Sequence, residues 1–198
     1  MRIGIFGGSF NPPHKMHFMI ASELLEKNYV DKIIYVPTGS KYKYKNNLLP
    51  DLCRYEMLKI MTSNDERLSV SDYELKDDVV YTCDTLAYFN KIYPNDDIVF
   101  ICGADNLSYI DKWKNGYEIL EKYKILVIRR DGEDTSELLE RFKEYKNNII
   151  ITNIVPNKLS STFIRIYLSN KQYDKICEFM DENVVKYIKE NELYVSCE

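Results

Sequence analysis

Histidine is scarce in this chain: two in 198 residues, alongside one tryptophan and seven glycines. Cysteine is sparse and poorly arranged for chemistry. Cys53, Cys83, Cys102, Cys177 and Cys197 are odd in number, irregularly spaced and never paired as Cys-x-x-Cys. That argues against a disulfide framework and against structural zinc, and points to reduced thiols in the cytoplasm. No apolar run approaches the ~20 residues that span a bilayer. The chain opens directly into a strand-like run without a charged-then-apolar leader, so neither membrane nor secretory pathway is expected. A net charge of only −4 gives no reason to expect a nucleic-acid surface. Internal repeats and low-complexity tracts are absent. So are the dinucleotide fingerprint Gly-x-Gly-x-x-Gly and the phosphate loop Gly-x-x-x-x-Gly-Lys-Ser/Thr.

What is present is ordinary in bulk. Hydrophobic residues make up 45% and charged residues 29%, as in a soluble globular protein. The length suits one sizeable core, so a single domain over 1–198 is expected. Strand-like runs at 2–6, 31–36, 68–72, 97–102, 124–129 and 149–152 alternate with helical patterns. The helices are expected at 15–28, 51–63, 83–93, 105–111, 116–122, 134–146, 161–169 and 181–191. This alternation predicts an α/β fold, a Rossmann-like doubly wound parallel sheet with a small helical C-terminal part. The runs at 97–102 and 124–129 are nearly all apolar, as in strands covered on both faces. Ligands of such sheets lie beyond the C-terminal strand ends. The segment after strand one and the loops from Pro37 and Gly103 open there.

The scarce residues gather at the first of these places. Arg2 to Phe6 reads as a buried strand, and Gly7-Gly8-Ser9 as a tight turn offering N–H groups to an anion. Pro12-Pro13 forces an extended approach, and a helix begins near His14. His14 and His17 share one face of its first turn, beside the free N–H groups and the positive end of the helix dipole. Three of the seven glycines and both histidines thus surround one expected phosphate site.

Here the chain resembles a known family. Gly7-Gly8-Ser9-Phe10-Asn11-Pro12-Pro13-His14-Lys15-Met16-His17 looks like the signature of nucleotidyltransferases related to class I aminoacyl-tRNA synthetases. More narrowly, it resembles bacterial nicotinate mononucleotide adenylyltransferases. Gly103-Ala104-Asp105 followed by Trp113, Tyr81-Thr82-Cys83-Asp84-Thr85, and Leu159-Ser160-Ser161-Thr162-Phe163-Ile164-Arg165 match further family motifs, in order. From spacing alone, Asp105 reads as a helix cap, Trp113 as a packing residue, Thr82 or Asp84 as the cap of 83–93, and Ser160 or Ser161 as the cap of the helix at 161. Arg165, one turn in, has a planar fork suited to phosphate oxygens.

The resemblance implies a reaction: ATP and nicotinate mononucleotide give deamido-NAD and pyrophosphate, with Mg²⁺ arriving with the ATP. It implies His14 and His17 as catalytic residues. Gly7, Gly8, Ser9, Phe10, Gly103, Asp105, Arg130, Ser160, Ser161 and Arg165 would contact ATP, and Thr82 and Trp113 the pyridine. The loop 37–50 lacks the usual Pro-Pro-His-Lys, so the phosphate-contacting lysine is Lys41, Lys43 or Lys45, with Lys43 assigned to the substrate. Met16 stands where many relatives have Gly, and Pro13 replaces an aliphatic residue. The alternatives are a sister transferase acting on phosphopantetheine or with CTP, and a non-catalytic nucleotide sensor. No partner other than the two nucleotides is implied, and a homo-oligomer stays open.

Overall fold

The computed structural model describes residues 1–41, 47–129, 134–156 and 159–195. Six strands, β1 (Arg2–Gly8), β2 (Lys32–Pro37), β3 (Leu68–Val70), β4 (Asp97–Gly103), β5 (Lys124–Ile128) and β6 (Ile149–Ile151), form one sheet in the order β3-β2-β1-β4-β5-β6. Every strand pair is parallel. Among the described residues eight α-helices connect and flank the strands: α1 (Lys15–Glu26), α2 (Asp51–Thr62), α3 (Thr82–Ile92), α4 (Ala104–Leu107), α5 (Gly116–Lys122), α6 (Ser136–Arg141), α7 (Ser161–Ser169) and α8 (Glu182–Glu190). The expected doubly wound architecture is therefore present, with α7 and α8 as the helical C-terminal part.

The strand alternation builds two cores, one on each sheet face. Ile33 and Tyr35 of β2, Val99 and Ile101 of β4, and Leu126 and Ile128 of β5 face α1, α2, α7 and α8. Their neighbours Ile34, Val36, Ile98, Phe100, Ile125 and Val127 join the second core under α3, α4 and α5. Gly4 lies against this packing: a Cβ there would lie 2.6 Å from the Ile101 side chain, so a larger residue at the centre of β1 would force Ile101 to shift.

Two helices are shorter than their periodicity suggests. The helix expected at 105–111 is α4, four residues long, followed by a 3₁₀ turn at Ile110–Lys112. The Ser108 hydroxyl donates to the Asp105 carbonyl at 2.6 Å, and Tyr109 N–H to the Asn106 carbonyl at 3.1 Å, local bonds that compete with continuing the helix. The helix expected at 134–146 is α6, then a 3₁₀ turn at Lys143–Tyr145. Phe142 breaks it by turning into the core, where it is 3% exposed.

The sheet also places the site. β1 lies between β2 and β4, so the winding direction reverses there. β1 pairs with β4 only as far as Phe6, opposite Ile101. Gly7 and Gly8 run on beside β2 alone, ending opposite Pro37. The two central strands therefore part at their C-terminal ends and leave the crevice where such folds bind ligands.

Candidate active site

Gly7 and Gly8 belong to β1 and do not form the turn expected at 7–9. The chain leaves the sheet at Ser9. Phe10 follows with a left-handed backbone (φ 44°), uncommon for a bulky residue. Its ring is 2% exposed and packs edge-on against Phe6, Tyr35 and His17, with the His17 ring centroid 5.0 Å away. The Phe10 side chain therefore supports His17 from behind and leaves only backbone to face outward. Asn11–Pro12 is a cis peptide, and the segment ends at His14, the residue that opens α1.

His14 and His17 are stacked, with ring centroids 3.8 Å apart and planes inclined by 29°. The backbone N–H of His14 donates to His17 Nδ1 at 3.1 Å. Nδ1 therefore acts as an acceptor, and the neutral ring carries its proton on Nε2. Burial pushes the His14 pKa down to about 4. Burial, and secondarily the neighbouring His14, lower that of His17. At neutral pH the pair consists of uncharged imidazoles that can donate N–H without carrying a buried charge. His14 Nδ1 is buried and has no hydrogen-bond partner among the described residues.

The start of α1 offers fewer free donors than its sequence suggests. The N–H groups of His14 and His17 are used within the turn, and that of Lys15 donates to the Phe179 carbonyl at 2.9 Å. The Lys15 ammonium is turned to the carbonyls of Glu178 and Cys177, 3.0 and 3.3 Å away. An anion here has the imidazoles to meet rather than a bare helix end.

Ser160 caps α7, accepting the Phe163 N–H at 3.3 Å. Ser161 does not cap. Its hydroxyl donates to the Pro12 carbonyl at 2.8 Å, while Arg165 donates to the Asn11 carbonyl at 2.7 Å and to the Thr162 hydroxyl at 3.1 Å. The helix expected to grip phosphate is thus tied directly to the histidine segment.

On the other side of Gly7–Gly8 lies a cleft of about 550 Å³, walled by Thr82, Thr85, Glu74, Phe100, Trp113 and Lys114. This is the size range of small-molecule sites. Trp113 is half-buried, propped edge-on against Phe100 at 6.2 Å. Thr82 is the first residue of α3, whose cap is Tyr81, one residue before Thr82 and three before Asp84, the two expected caps. Asp84 serves the helix start as anticipated. Its carboxylate accepts the Tyr81 N–H at 3.2 Å and pairs with Lys114 at 3.1 Å. Gly103 ends β4, and a Cβ there would fall on the Asp105 carboxylate, which folds back over it from an exposed position. Arg130, Lys43 and Lys45 lie outside the described residues. Lys41 is exposed.

Sequence reasoning missed three contributors. Glu74 lines the cleft, accepts the Thr85 hydroxyl at 2.6 Å, and has its pKa raised to about 7 by burial. In sequence it sits among Asp72, Asp77 and Asp78 and reads as solvated loop. Arg54 is fully buried. Its guanidinium donates to the carbonyls of Thr38, Ser9 and Leu49 at 2.7, 2.9 and 3.1 Å, and pairs with Asp51 at 2.5 Å. It fastens the segment after β1 to the end of β2 and the start of α2. The signal was available: Arg54 shares the helical stripe of Met57, Leu58 and Met61, the wrong place for an unemployed charge. The third is Tyr194, whose hydroxyl reaches Asn11.

Comparison with known proteins bears on the family and the fold. A family model described as cytidylyltransferase-like matches residues 5–166. A probable nicotinate-nucleotide adenylyltransferase of Clostridium acetobutylicum is 38% identical over 197 residues, covering 96% of this chain and 98% of the relative. One of the same name from Clostridium tetani is 36% identical, covering 96% and 97%. Among solved structures, the Plasmodium falciparum nicotinic acid mononucleotide adenylyltransferase complexed with NaAD superposes with a TM-score of 0.80. It is 22% identical and covers 98% of this chain and 97% of its own. That last likeness is one of fold.

Proposed function

The chain belongs to the cytidylyltransferase-like family, together with the clostridial nicotinate-nucleotide adenylyltransferases, and we propose that it transfers the adenylyl group of ATP to nicotinate mononucleotide, giving deamido-NAD and pyrophosphate. The observation that carries this reading is the adjacency of two unlike half-sites. A stacked pair of neutral imidazoles lies on one side of Gly7–Gly8, and a cleft with a propped tryptophan lies on the other. The first suits a polyphosphate, the second a flat aromatic ring.

In this reading the mononucleotide phosphate attacks the α-phosphorus of ATP in line and pyrophosphate departs. Such transfer needs positioning and charge stabilisation more than covalent groups. His17 Nε2–H and the His14 ring meet the charge that develops on the α-phosphate and the leaving group. Ser160, Ser161 and Arg165 hold the β- and γ-phosphates, with Arg165 moving one arm of its fork from Asn11. Gly103 and Asp105 take the ribose, and Gly7, Gly8, Ser9 and the Phe10 backbone line the nucleotide's path. Trp113 stacks on the pyridine, and the Thr82 hydroxyl faces its carboxylate. Arg130 and Lys43 remain candidates for phosphate contact. Mg²⁺ belongs to the reading as a companion of the triphosphate. Among the described residues no cluster of three or more metal-binding side chains occurs, so the ion would enter on phosphate oxygens and water and neutralise charge there. No helix among the described residues is long and apolar enough to cross a membrane, and a cytoplasmic site with free thiols fits the reaction.

The cleft's charges favour the acid form of the pyridine. Lys112 lines it, Lys114 and Asp84 offset each other, and the Glu74 carboxyl, raised to about 7 by burial, carries only part of a negative charge at neutral pH. The test is pyrophosphate release with ATP or CTP and with nicotinate or nicotinamide mononucleotide. We expect ATP to be used over CTP, and nicotinate mononucleotide to be preferred at least ~10-fold in kcat/KM, about 1.4 kcal/mol of differential transition-state binding. Equal use of both pyridines would show the cleft misread. No pyrophosphate at all would favour the sensor.

A further inference from the structure

The end of the described chain reaches back to its beginning. After α8 the backbone takes left-handed conformations at Glu192 and Tyr194, with φ of 49° and 65°. Residues with side chains rarely adopt these without compensation. The result is that Tyr194 is packed against the core shared by α1, α2 and α8, with its hydroxyl 2.8 Å from Asn11 Oδ1. Burial raises its pKa, while Arg165 and Arg54 lie close enough to act in the opposite direction. The group stays a neutral phenol, and its proton is held ready to donate.

Asn11 is 3% exposed and almost wholly engaged. Its side chain accepts from Tyr194 and from the Leu49 N–H at 3.3 Å, and donates to the Asn47 carbonyl at 3.0 Å. Its own carbonyl is the one Arg165 holds. The three residues from Asn11 to the helix start at His14 are thereby fixed from outside, since they belong to no helix or strand. If Arg165 turns one arm to a nucleotide phosphate, the Asn11 carbonyl loses a donor. The Tyr194 hydroxyl then remains as a fixed point on that residue.

We propose that Tyr194 is a positioning residue for adenylyl transfer: by holding Asn11, it sets the seat of His14 and His17. Its role runs through Asn11, not through contact with a nucleotide. The inference rests on the function proposed above for its kinetic consequence, but the clasp itself can be read without turnover. Both histidines of the chain ride on this segment, so the ring proton resonances of the protein report its geometry directly.

The experiment compares wild type, Tyr194→Phe and Tyr29→Phe. Tyr29 is the control because its hydroxyl also bonds an asparagine, Asn153, but away from the histidines. Phenylalanine keeps the ring and its packing, so both variants should fold. Tyr194→Phe is expected to lower kcat about fivefold to tenfold, as for loss of one oriented bond, with each KM within about twofold, and to shift or broaden both histidine resonances. Tyr29→Phe should leave kcat and resonances unchanged. Unchanged histidine resonances in Tyr194→Phe would overturn the proposal, as would an equal kcat loss in Tyr29→Phe. If wild type itself releases no pyrophosphate, the function fails, and the histidine spectra alone decide the clasp.

Discussion

Replacing Glu74 by glutamine should change how stability depends on pH, by an amount that follows from the structure. Burial raises the Glu74 pKa from an ordinary 4.5 to about 7, against the opposing hydrogen bond from Thr85. Between those values the unfolded chain has released the proton and the folded protein keeps it. Stability therefore falls as pH rises through this window, by on the order of 3 kcal/mol in all. His14 runs the other way. Burial lowers it from 6.5 to about 4, so the unfolded chain takes up a proton that the folded protein refuses. Its contribution is complete above 6.5 and drains away as pH falls toward 4, again on the order of 3 kcal/mol. His17, also lowered, adds to the histidine side.

The two windows overlap, so in wild type the opposing slopes of Glu74 and His14 largely cancel over the acid range. Glutamine keeps an acceptor for Thr85 and removes the carboxyl titration. The stability of Glu74→Gln relative to wild type should then grow by roughly 3 kcal/mol between pH 4.5 and pH 8. Urea denaturation followed by the fluorescence of Trp113, the one tryptophan, measures it at half-unit steps. A difference that stays flat across the range, within the error of linear extrapolation, would refute the assignment of Glu74 as a buried, protonatable wall of the cleft.

His17→Ala should lower turnover by at least ~10²-fold with the fold intact, the usual scale for such a charge stabiliser; a few-fold effect in a steady-state assay would remove it from the chemistry. Trp113→Ala should weaken mononucleotide binding more than ATP binding, by on the order of 1 kcal/mol, and equal rises in both Michaelis constants would mark a structural tryptophan. Arg54→Met strips a donor from the carbonyls of Ser9, Thr38 and Leu49 and leaves Asp51 with Ser40 as its partner, which should cost roughly 3–5 kcal/mol in urea denaturation, at about 1–3 kcal/mol for each carbonyl left without a donor; a loss under about 1 kcal/mol would make the clamp redundant.

Much of the fold was legible because its signals are local. The buried parallel strands announce themselves as apolar runs, and β1, β2, β4 and β5 fall within two residues of their expected bounds. Helix ends at 104–112 and 136–145 were not legible. There the deciding events are a serine bonding back to its own turn and a phenylalanine seeking the core, and periodicity carries neither. The site divides along the same line. His14 and His17, which lie stacked, and Thr82 and Trp113, which line one cleft, could be singled out as candidates because a motif fixes their spacing. Arg54, Glu74 and Tyr194 act across long sequence separations, between elements that only the folded sheet brings together.

The spacing of the two histidines fixes their shared face and says nothing of their charge. The structure buries His17 against Phe10 and Phe6, and stacks His14 on it, so both rings stay neutral at working pH. That suits the reaction better than a fixed positive charge. A cation would bind the ground-state triphosphate strongly and gain little more as pyrophosphate departs, whereas binding common to both states does not raise kcat. A neutral Nε2–H, held in place by its own Nδ1 bond, interacts weakly with resting phosphate. It strengthens as negative charge gathers on the leaving oxygen, without reorganisation at that moment. In the function proposed above, the aromatic cage behind the histidines takes part through their protonation state, and Asn11 with its three side-chain bonds takes part through their place.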